Sequence, residues 1–219
     1  MVHIASVLHD GVHEQHENKL SILAGDFLLG RASAALARLG EPQVVELIAS
    51  VISNQAEGEM LRHLSMLRDP WDMYLRRSYL KTASLMAKGA CASVALGGCS
   101  DHWQDAAYTY GRNLGIAYQV CVLHSCIVQD TLEHPLGITG PVLFAAEEHP
   151  DLHPLIRRNL AGEGDIQKAR HYVARSQGID RTRALAATYA DKAREALRLL
   201  PESEYREALD VLAESALAT

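Results

Sequence analysis

The sequence predicts an all-α protein, and three features of its composition and patterning indicate that fold class. Aromatic residues make up 5% of the 219 residues, β-branched residues are scattered, and Ala, Leu, Glu and Arg recur at helical spacing. Such spacing places apolar side chains on one face of a helix, and these residue types favour helices. A chain of this length can bury its own core, so we expect one domain over residues 1–219.

The first three predicted helices are long or strongly apolar. Residues 1–10 carry apolar side chains at most positions, which predicts the middle of a buried helix. Residues 18–39 form the second helix, which ends at Gly40 and Pro42 because glycine caps a helix and proline cannot continue one. The third helix, over residues 43–67, has one apolar side and is expected to be largely buried.

Further helices are separated by glycine and proline clusters. They are expected over residues 71–96, 102–130, 181–199 and 202–217, with shorter helices between the second and third of these. The last two have narrow apolar stripes and many Arg/Glu pairs. That pattern predicts solvent-facing helices that cover the bundle.

Charge and cysteine content exclude several kinds of partner. The 27 acidic and 21 basic side chains give a net charge of −6, so neither nucleic acid nor an anionic membrane is an expected partner. The four cysteines form no CxxC pair and no secretory signal pattern is present, so we expect an intracellular, cytoplasmic protein with reduced thiols. No uncharged apolar stretch approaches about 18 residues, so no membrane span is expected.

Several strings resemble the trans-polyprenyl diphosphate synthases of the long-chain type. They read HIASVLHD at 3–10, NKLSILAGDFLL at 18–29, AEGE at 56–59, YLKTASL at 79–85 and GRNLGIAYQ at 111–119. The strings occur in the order found in that family, and the resemblance covers nearly the whole chain. It implies a shortened isoprenoid-synthase helical bundle without the family's N-terminal helices. It also implies dimerisation through the helices near residues 18–67.

The aspartate motifs of that family are incomplete here. In the family they hold Mg²⁺ ions that grip an allylic diphosphate, because the cations stabilise the charge that develops on the leaving group. At the first motif this chain has Asp10 and Glu14, and after Gln119 no carboxylate occurs before Asp130. An Arg-rich stretch is also missing. These departures predict loss of chain elongation, no metal site and no cofactor, with Mg²⁺ needed only if residual diphosphate chemistry survives.

Other positions keep residues that the resemblance assigns to ligand binding. Lys81 and Thr82 match a string whose lysine contacts the allylic diphosphate, and Gln119 matches the glutamine before the second aspartate motif. Tyr118 and Cys121 lie beside that glutamine and join the predicted set. We therefore expect a cavity that binds a prenyl or prenylated small molecule.

Two groups of histidines and acids have the chemistry of proton transfer. The first group, at the end of the first helix, comprises His9, Asp10, His13 and Glu14. Their spacing puts them on one side of the helix, either facing the cavity as proton donors and acceptors or a weak metal site, or solvated as a decayed motif. His124, with Cys121 and Cys126, either titrates in an apolar pocket or fills space once occupied by metal.

Glu57 and Glu59 bracket Gly58 on a helix that is expected to be buried. A carboxyl group in an apolar wall has the chemistry of a general acid. The alternative is a pair at the cavity rim, or partners for Arg62 and Lys81.

Three functions compete on these residues. The leading hypothesis is a repurposed enzyme that performs metal-independent cyclisation or isomerisation of a prenyl ligand. Its candidate catalytic residues are His9, Asp10, His13, Glu14, Glu57 and His124. The first alternative is a non-catalytic subunit of a heteromeric polyprenyl diphosphate synthase, so the expected partner is either a second copy of this chain, in a homodimer, or a catalytic synthase, in a heterodimer. The second is residual prenyl diphosphate chemistry.

Overall fold

The computed structural model describes residues 1–10, 18–63, 69–128 and 138–217. Within these residues all regular structure is helical, which confirms the predicted all-α fold. Of the predicted site residues, His13 and Glu14 lie outside the described residues. The side chains of Asp10 and His124 lie outside the description as well.

The helices follow one another with short connections. In chain order the described residues form α1 (Val2–Asp10), α2 (Asn18–Leu39), α3 (Pro42–His63), α4 (Pro70–Ser78), α5 (Ser84–Leu96), α6 (Asp101–Val128), α7 (Gly140–Glu148), α8 (His153–Arg157), α9 (Asp165–Ala174), α10 (Gly178–Leu197) and α11 (Glu204–Ser215). A single π-helical turn, Tyr79–Ala83, joins α4 to α5, and a 3-10 turn, Pro150–Leu152, precedes α8. The predicted second helix has the bounds of α2, and the helix predicted over residues 71–96 is continuous but contains the π turn.

The main core lies where residues of α6, α7, α8, α9 and α10 come together, and α6 also packs on α5. Ala186, Ala190 and Ala193 of α10 are fully buried, and so is Thr182. The other side of α10 is exposed, as predicted for a helix with a narrow apolar stripe that covers the bundle, and it carries Arg183, Asp191 and Arg194. Alanines allow two helices to approach closely, and a stripe of such small residues contributes little to the apolar pattern of the sequence although it is buried completely.

Two glycines bring α6 into direct contact with the backbone of the neighbouring helix. A β-carbon at Gly111 would overlap the carbonyl group of Met86. One at Gly115 would lie 2.5 Å from the Cα atom of Ala83, the last residue of the π turn. The position of the π turn is therefore set by the path of α6.

Aromatic and ionic contacts fix the helix that leads into the π turn. The rings of Trp71 on α4 and Phe144 on α7 have their centroids 4.4 Å apart, and the guanidinium carbon of Arg181 lies 4.2 Å from the Phe144 centroid. Arg181 also pairs with Glu147 at 2.6 Å, and the Trp71 indole donates a hydrogen bond to the same carboxylate. These contacts join α4, α7 and α10.

Helices α1 and α2 pack on each other and leave a broad apolar face exposed. Of residues 19–39, all of which the structure describes, only Gly25 and Ala32 are buried. Leu20 is 75% exposed and Phe27 is 66% exposed, and Ile4 of α1 is exposed as well. The prediction of a buried first helix is therefore wrong for its outer side, because no described residue covers it.

By length and composition alone, residues 19–39 are long and apolar enough to cross a membrane. Asp26, Arg31 and Arg38 are spaced along this helix, and charged groups are costly in a bilayer.

Candidate functional site

The π turn between α4 and α5 carries two of the predicted ligand-binding residues. Thr82 donates a hydrogen bond of 2.7 Å from Oγ1 to Oε1 of Gln119 on α6. On the other side of the turn, Lys81 Nζ donates to Glu59 Oε2 on α3 at 3.1 Å. A π turn widens a helix locally, and such turns occur frequently at functional sites. The π turn therefore carries Lys81 on its α3 side and Thr82, bonded to Gln119, on its α6 side.

The first residue of the π turn is anchored separately. The hydroxyl groups of Tyr79 and Tyr108 lie 2.7 Å apart, and the guanidinium carbon of Arg112 lies 5.9 Å from the Tyr79 ring centroid. Burial raises the pKa of Tyr79, and the hydrogen bond to Tyr108 raises it further, so this hydroxyl stays protonated at neutral pH. The anchor holds the turn against α6.

The segment Glu57, Gly58 and Glu59 of α3 lies against Lys81. A β-carbon at Gly58 would lie 2.9 Å from Cγ of Lys81, so the glycine makes room for the lysine stem. Glu59 is the residue that pairs with Lys81, whereas Glu57 pairs with Arg76 at 2.5 Å. Both side chains of the Glu57 pair are 45% exposed, so Glu57 lies at the surface and not in an apolar wall.

A cavity of about 360 Å³ lies between α1, α2 and α3, beside this segment. Its lining residues are Ser6, His9, Leu29, Ile52, Gln55, Ala56, Glu59 and Met60. The volume falls within the range of about 300–1,000 Å³ typical of ligand pockets. Glu59 belongs to both the cavity wall and the ion pair with Lys81, so the cavity adjoins the lysine cluster.

Gln55 is a cavity residue that the sequence analysis missed. Its side chain is 7% exposed, and its Nε2 has no hydrogen-bond partner among the described residues. A buried amide donor without a partner is costly. The one available sequence signal was a polar residue on the apolar side of a predicted helix.

His9, a predicted proton donor or acceptor, packs directly against α2. Its Nε2 lies 3.3 Å from the carbonyl oxygen of Ile22 and 3.4 Å from Oδ1 of Asp26. The imidazole occupies the space where a β-carbon of Gly25 would be, so the ring packs directly on the α2 backbone. His9 therefore tethers α1 to α2 at the edge of the cavity.

The remaining predicted ligand residues on α6 differ in burial. Tyr118 is 39% exposed, whereas Cys121 is buried with its Sγ 3.8 Å from the carbonyl oxygen of Leu217. Gln119 alone among them contacts the π turn through a described hydrogen bond.

The described residues do not fit a Mg²⁺ site. Within them no group of three or more His, Cys, Asp or Glu side chains could share a metal ion. Glu59 and Asp26 are each engaged by a basic partner, Lys81 and His9 respectively.

The chain is similar to fungal prenyl diphosphate synthases. It is 43% identical to the Neurospora crassa protein named "Probable hexaprenyl pyrophosphate synthase, mitochondrial", over 95% of this chain and 54% of that protein. It is 39% identical to "Decaprenyl-diphosphate synthase subunit 1" of Schizosaccharomyces pombe, over 99% of this chain and 65% of that protein. The chain thus spans about half the length of the first relative. That alignment runs over 240 positions, more than the 219 residues of this chain, so the relative has internal positions without a counterpart here.

The fold is also similar to solved structures of such enzymes. A crystal structure of a polyprenyl synthase from Caulobacter crescentus CB15, complexed with calcium and isoprenyl diphosphate, matches with a TM-score of 0.83 at 30% identity. The match covers 100% of this chain and 75% of that one.

These relatives overturn the prediction of a metal-independent cyclase or isomerase, and with it the prediction that chain elongation is lost. They are named as polyprenyl diphosphate synthases. That hypothesis assumed that proton-transfer groups had replaced the missing aspartates and supported a new reaction. The groups that the π turn carries, the Lys81 ammonium group and the Thr82–Gln119 pair, have the chemistry of anion and hydrogen-bond recognition rather than of acid/base cyclisation. The relatives agree better with the alternative that placed the chain within a polyprenyl diphosphate synthase.

The family model described as polyprenyl synthetase matches residues 2–121, which is more than half of the chain. The matched residues include α1 to α5, the π turn and the part of α6 that carries Gln119. The chain therefore belongs to the polyprenyl synthetase family.

Proposed function

We propose that this chain works in the synthesis of a long-chain prenyl diphosphate, as a subunit of a polyprenyl diphosphate synthase assembly. The observation that carries the proposal is the polar cluster at the π turn, in which Lys81 lies on the α3 side and Thr82 is bonded to Gln119 on the α6 side. An ammonium group and oriented amide and hydroxyl groups suit a diphosphate, which offers several anionic oxygens. The names of the relatives support the substrate class, and one of them is named as a subunit.

The neighbouring cavity suits the hydrocarbon part of such a ligand. Leu29, Ile52, Ala56 and Met60 give it apolar walls, and Glu59 joins it to Lys81. We propose that the prenyl chain lies in this cavity and that its diphosphate end faces Lys81. Burial of the chain supplies binding free energy, while the polar cluster orients the charged end.

The exposed face of α1 and α2 supports a role in an assembly. Ile4, Leu20, Leu23 and Phe27 are all more than half exposed on two adjoining helices. A contiguous apolar face of this kind marks an interaction surface. We propose that a second synthase chain covers it, because the charged residues along α2 suit a protein interface better than a bilayer.

Mg²⁺ is the ion that neutralises diphosphate charge in this type of synthesis. Because the described residues do not fit a Mg²⁺ site, no step of the proposal uses a metal ion held by them. What these residues do is bind and orient: Lys81 attracts the diphosphate, and Thr82 fixes the amide of Gln119.

The assembly is tested by light scattering after size exclusion, with this chain alone and mixed with a full-length polyprenyl diphosphate synthase. We expect a complex in one of the two samples. Phe27→Glu, which places a charge within the apolar face, should abolish that complex. Tyr205→Glu is the matched control, because Tyr205 on α11 is an aromatic residue of similar exposure, 74%. A monomer in both samples, or equal loss in both variants, would contradict the proposed interface.

The substrate class is tested by calorimetric titration of farnesyl diphosphate in the presence of Mg²⁺. We expect binding by the chain or its complex, and at least tenfold weaker binding after Lys81→Gln. Binding that is unchanged by Lys81→Gln would contradict the assignment of the diphosphate to this cluster.

A further inference from the structure

Glu59 is placed where it must affect any anion that approaches Lys81. Its Oε2 accepts a hydrogen bond from Lys81 Nζ at 3.1 Å. The Lys81 side chain is 14% exposed and that of Glu59 is 30% exposed, so the pair is only partly screened by water. An arriving diphosphate therefore meets an ammonium group whose charge is already balanced.

The lysine stem packs on α3 next to Glu59. Its Cγ and Cδ lie against Gly58, where an added β-carbon would come within 2.9 and 3.1 Å of them. Leu80, beside it in the π turn, also lies against Gly58. A diphosphate that binds the Lys81 ammonium group where the structure places it therefore binds beside Glu59.

Glu59 also faces the cavity proposed for the prenyl chain. A ligand with its chain in that cavity and its diphosphate at Lys81 brings its anionic oxygens close to the Glu59 carboxylate. Like charges at such separations repel, and the repulsion is strongest where solvent screening is reduced.

We propose, on the basis of the proposed function, that Glu59 competes with the diphosphate group for Lys81. It weakens the binding of the diphosphate end, because Lys81 keeps its ion pair with Glu59 when no diphosphate is bound. Glu59 is thus a positioning residue that sets affinity through Lys81 and makes no favourable contact with the ligand.

The test is a double-mutant cycle of Glu59→Gln and Lys81→Gln, measured by calorimetric titration of farnesyl diphosphate with Mg²⁺ at several salt concentrations. Glutamine keeps the shape of the side chain and removes its charge. The matched control is Glu46→Gln, the same change at an exposed position of the same helix, about 20 Å away along the axis. Circular dichroism verifies that each variant is folded.

We expect Glu59→Gln to bind farnesyl diphosphate about fivefold more tightly, an effect of the size of a partly exposed ion pair. The gain should shrink as salt is raised, and it should vanish when Lys81→Gln is also present. Glu46→Gln should bind as the unchanged chain does. Equal or weaker binding by Glu59→Gln, or a gain in affinity that persists without Lys81, would overturn this inference but not the proposed function. Absence of binding by the unchanged chain would overturn the proposed function together with it.

Discussion

The contact between Gly115 and the π turn is the part of the fold that bears most directly on the site. Gly115 lies one helical turn before Gln119 on α6, and an added β-carbon would lie 2.5 Å from Ala83 Cα and 2.8 Å from Ala83 Cβ. Carbon atoms rest at about 3.5–4.0 Å, so Gly115→Ala requires α6 to move away from the turn by about 1 Å.

That displacement is large enough to break the hydrogen bond between Thr82 and Gln119. Its present length is 2.7 Å, and adding about 1 Å takes it beyond the limit of about 3.2 Å for a good hydrogen bond. Overpacking of this kind costs about 2 kcal/mol, while alanine in a helix recovers about 0.5–1 kcal/mol. We therefore expect Gly115→Ala to lower the free energy of unfolding by about 1 kcal/mol.

Urea unfolding followed by circular dichroism measures this change, and Gly89→Ala is the matched control. Gly89 lies within α5, and a β-carbon there would have no atom within 4 Å. Gly89→Ala should therefore stabilise the protein by about 0.5–1 kcal/mol. If Gly115→Ala is as stable as the unchanged chain, or is stabilised like the control, the inferred contact between α6 and the π turn is wrong.

Three other changes test the core, an ion pair and the cavity. Ala190→Leu, at a fully buried contact with α6, should cost about 2 kcal/mol in the same urea assay, and no loss would refute the close packing of α10. Arg158 donates two hydrogen bonds to Asp165 and lowers its pKa, so Asp165→Asn should cost about 2 kcal/mol at pH 7. That difference should disappear as the pH falls through the lowered pKa, because the stabilisation requires the carboxylate; a constant difference would contradict it. Ala56→Phe should fill part of the cavity and weaken calorimetric binding of geranylgeranyl diphosphate but not of inorganic pyrophosphate, and equal effects on both would refute the assigned site.

Helix positions could be predicted where the signals are local. Residues 18–39 have helical periodicity, followed by Gly40 and Pro42, and α2 has those bounds. The burial of each helix could not be predicted in the same way, because it depends on which other helix packs against its apolar side. The alanines of α10 are buried against α6, whereas the larger apolar residues of α1 and α2 are exposed in this chain.

The π turn also escapes sequence periodicity. The π turn shifts the helical spacing of side chains by only a fraction of a turn. The apolar pattern over residues 71–96 therefore still predicts a single helix. The cause of the π turn is tertiary, since α6 approaches the backbone at Ala83 through Gly115. The string Gly111 to Gly115 was visible in the sequence, but it does not identify which helix lies opposite.

Within the site, resemblance identified residues that periodicity could not. Thr82 contacts Gln119 on α6 and Lys81 contacts Glu59 on α3, and the function of these residues in this chain stays a prediction. The pairing of Glu59 with Lys81 was one of the alternatives for Glu57 and Glu59, and only the packing of α3 on the π turn distinguishes the two acids. Gln55 and the cavity depend on how three helices meet, so no local pattern predicts them.

The most direct test of the account is incorporation of labelled isopentenyl diphosphate by a full-length polyprenyl diphosphate synthase, with and without this chain, in the presence of Mg²⁺. The proposed function predicts that this chain co-purifies with the synthase and that the complex differs from the synthase alone in rate or product length. This difference should be lost on Lys81→Gln in this chain. Identical rates and products with and without the chain, together with no elongation by the chain itself, would contradict a role in prenyl diphosphate synthesis.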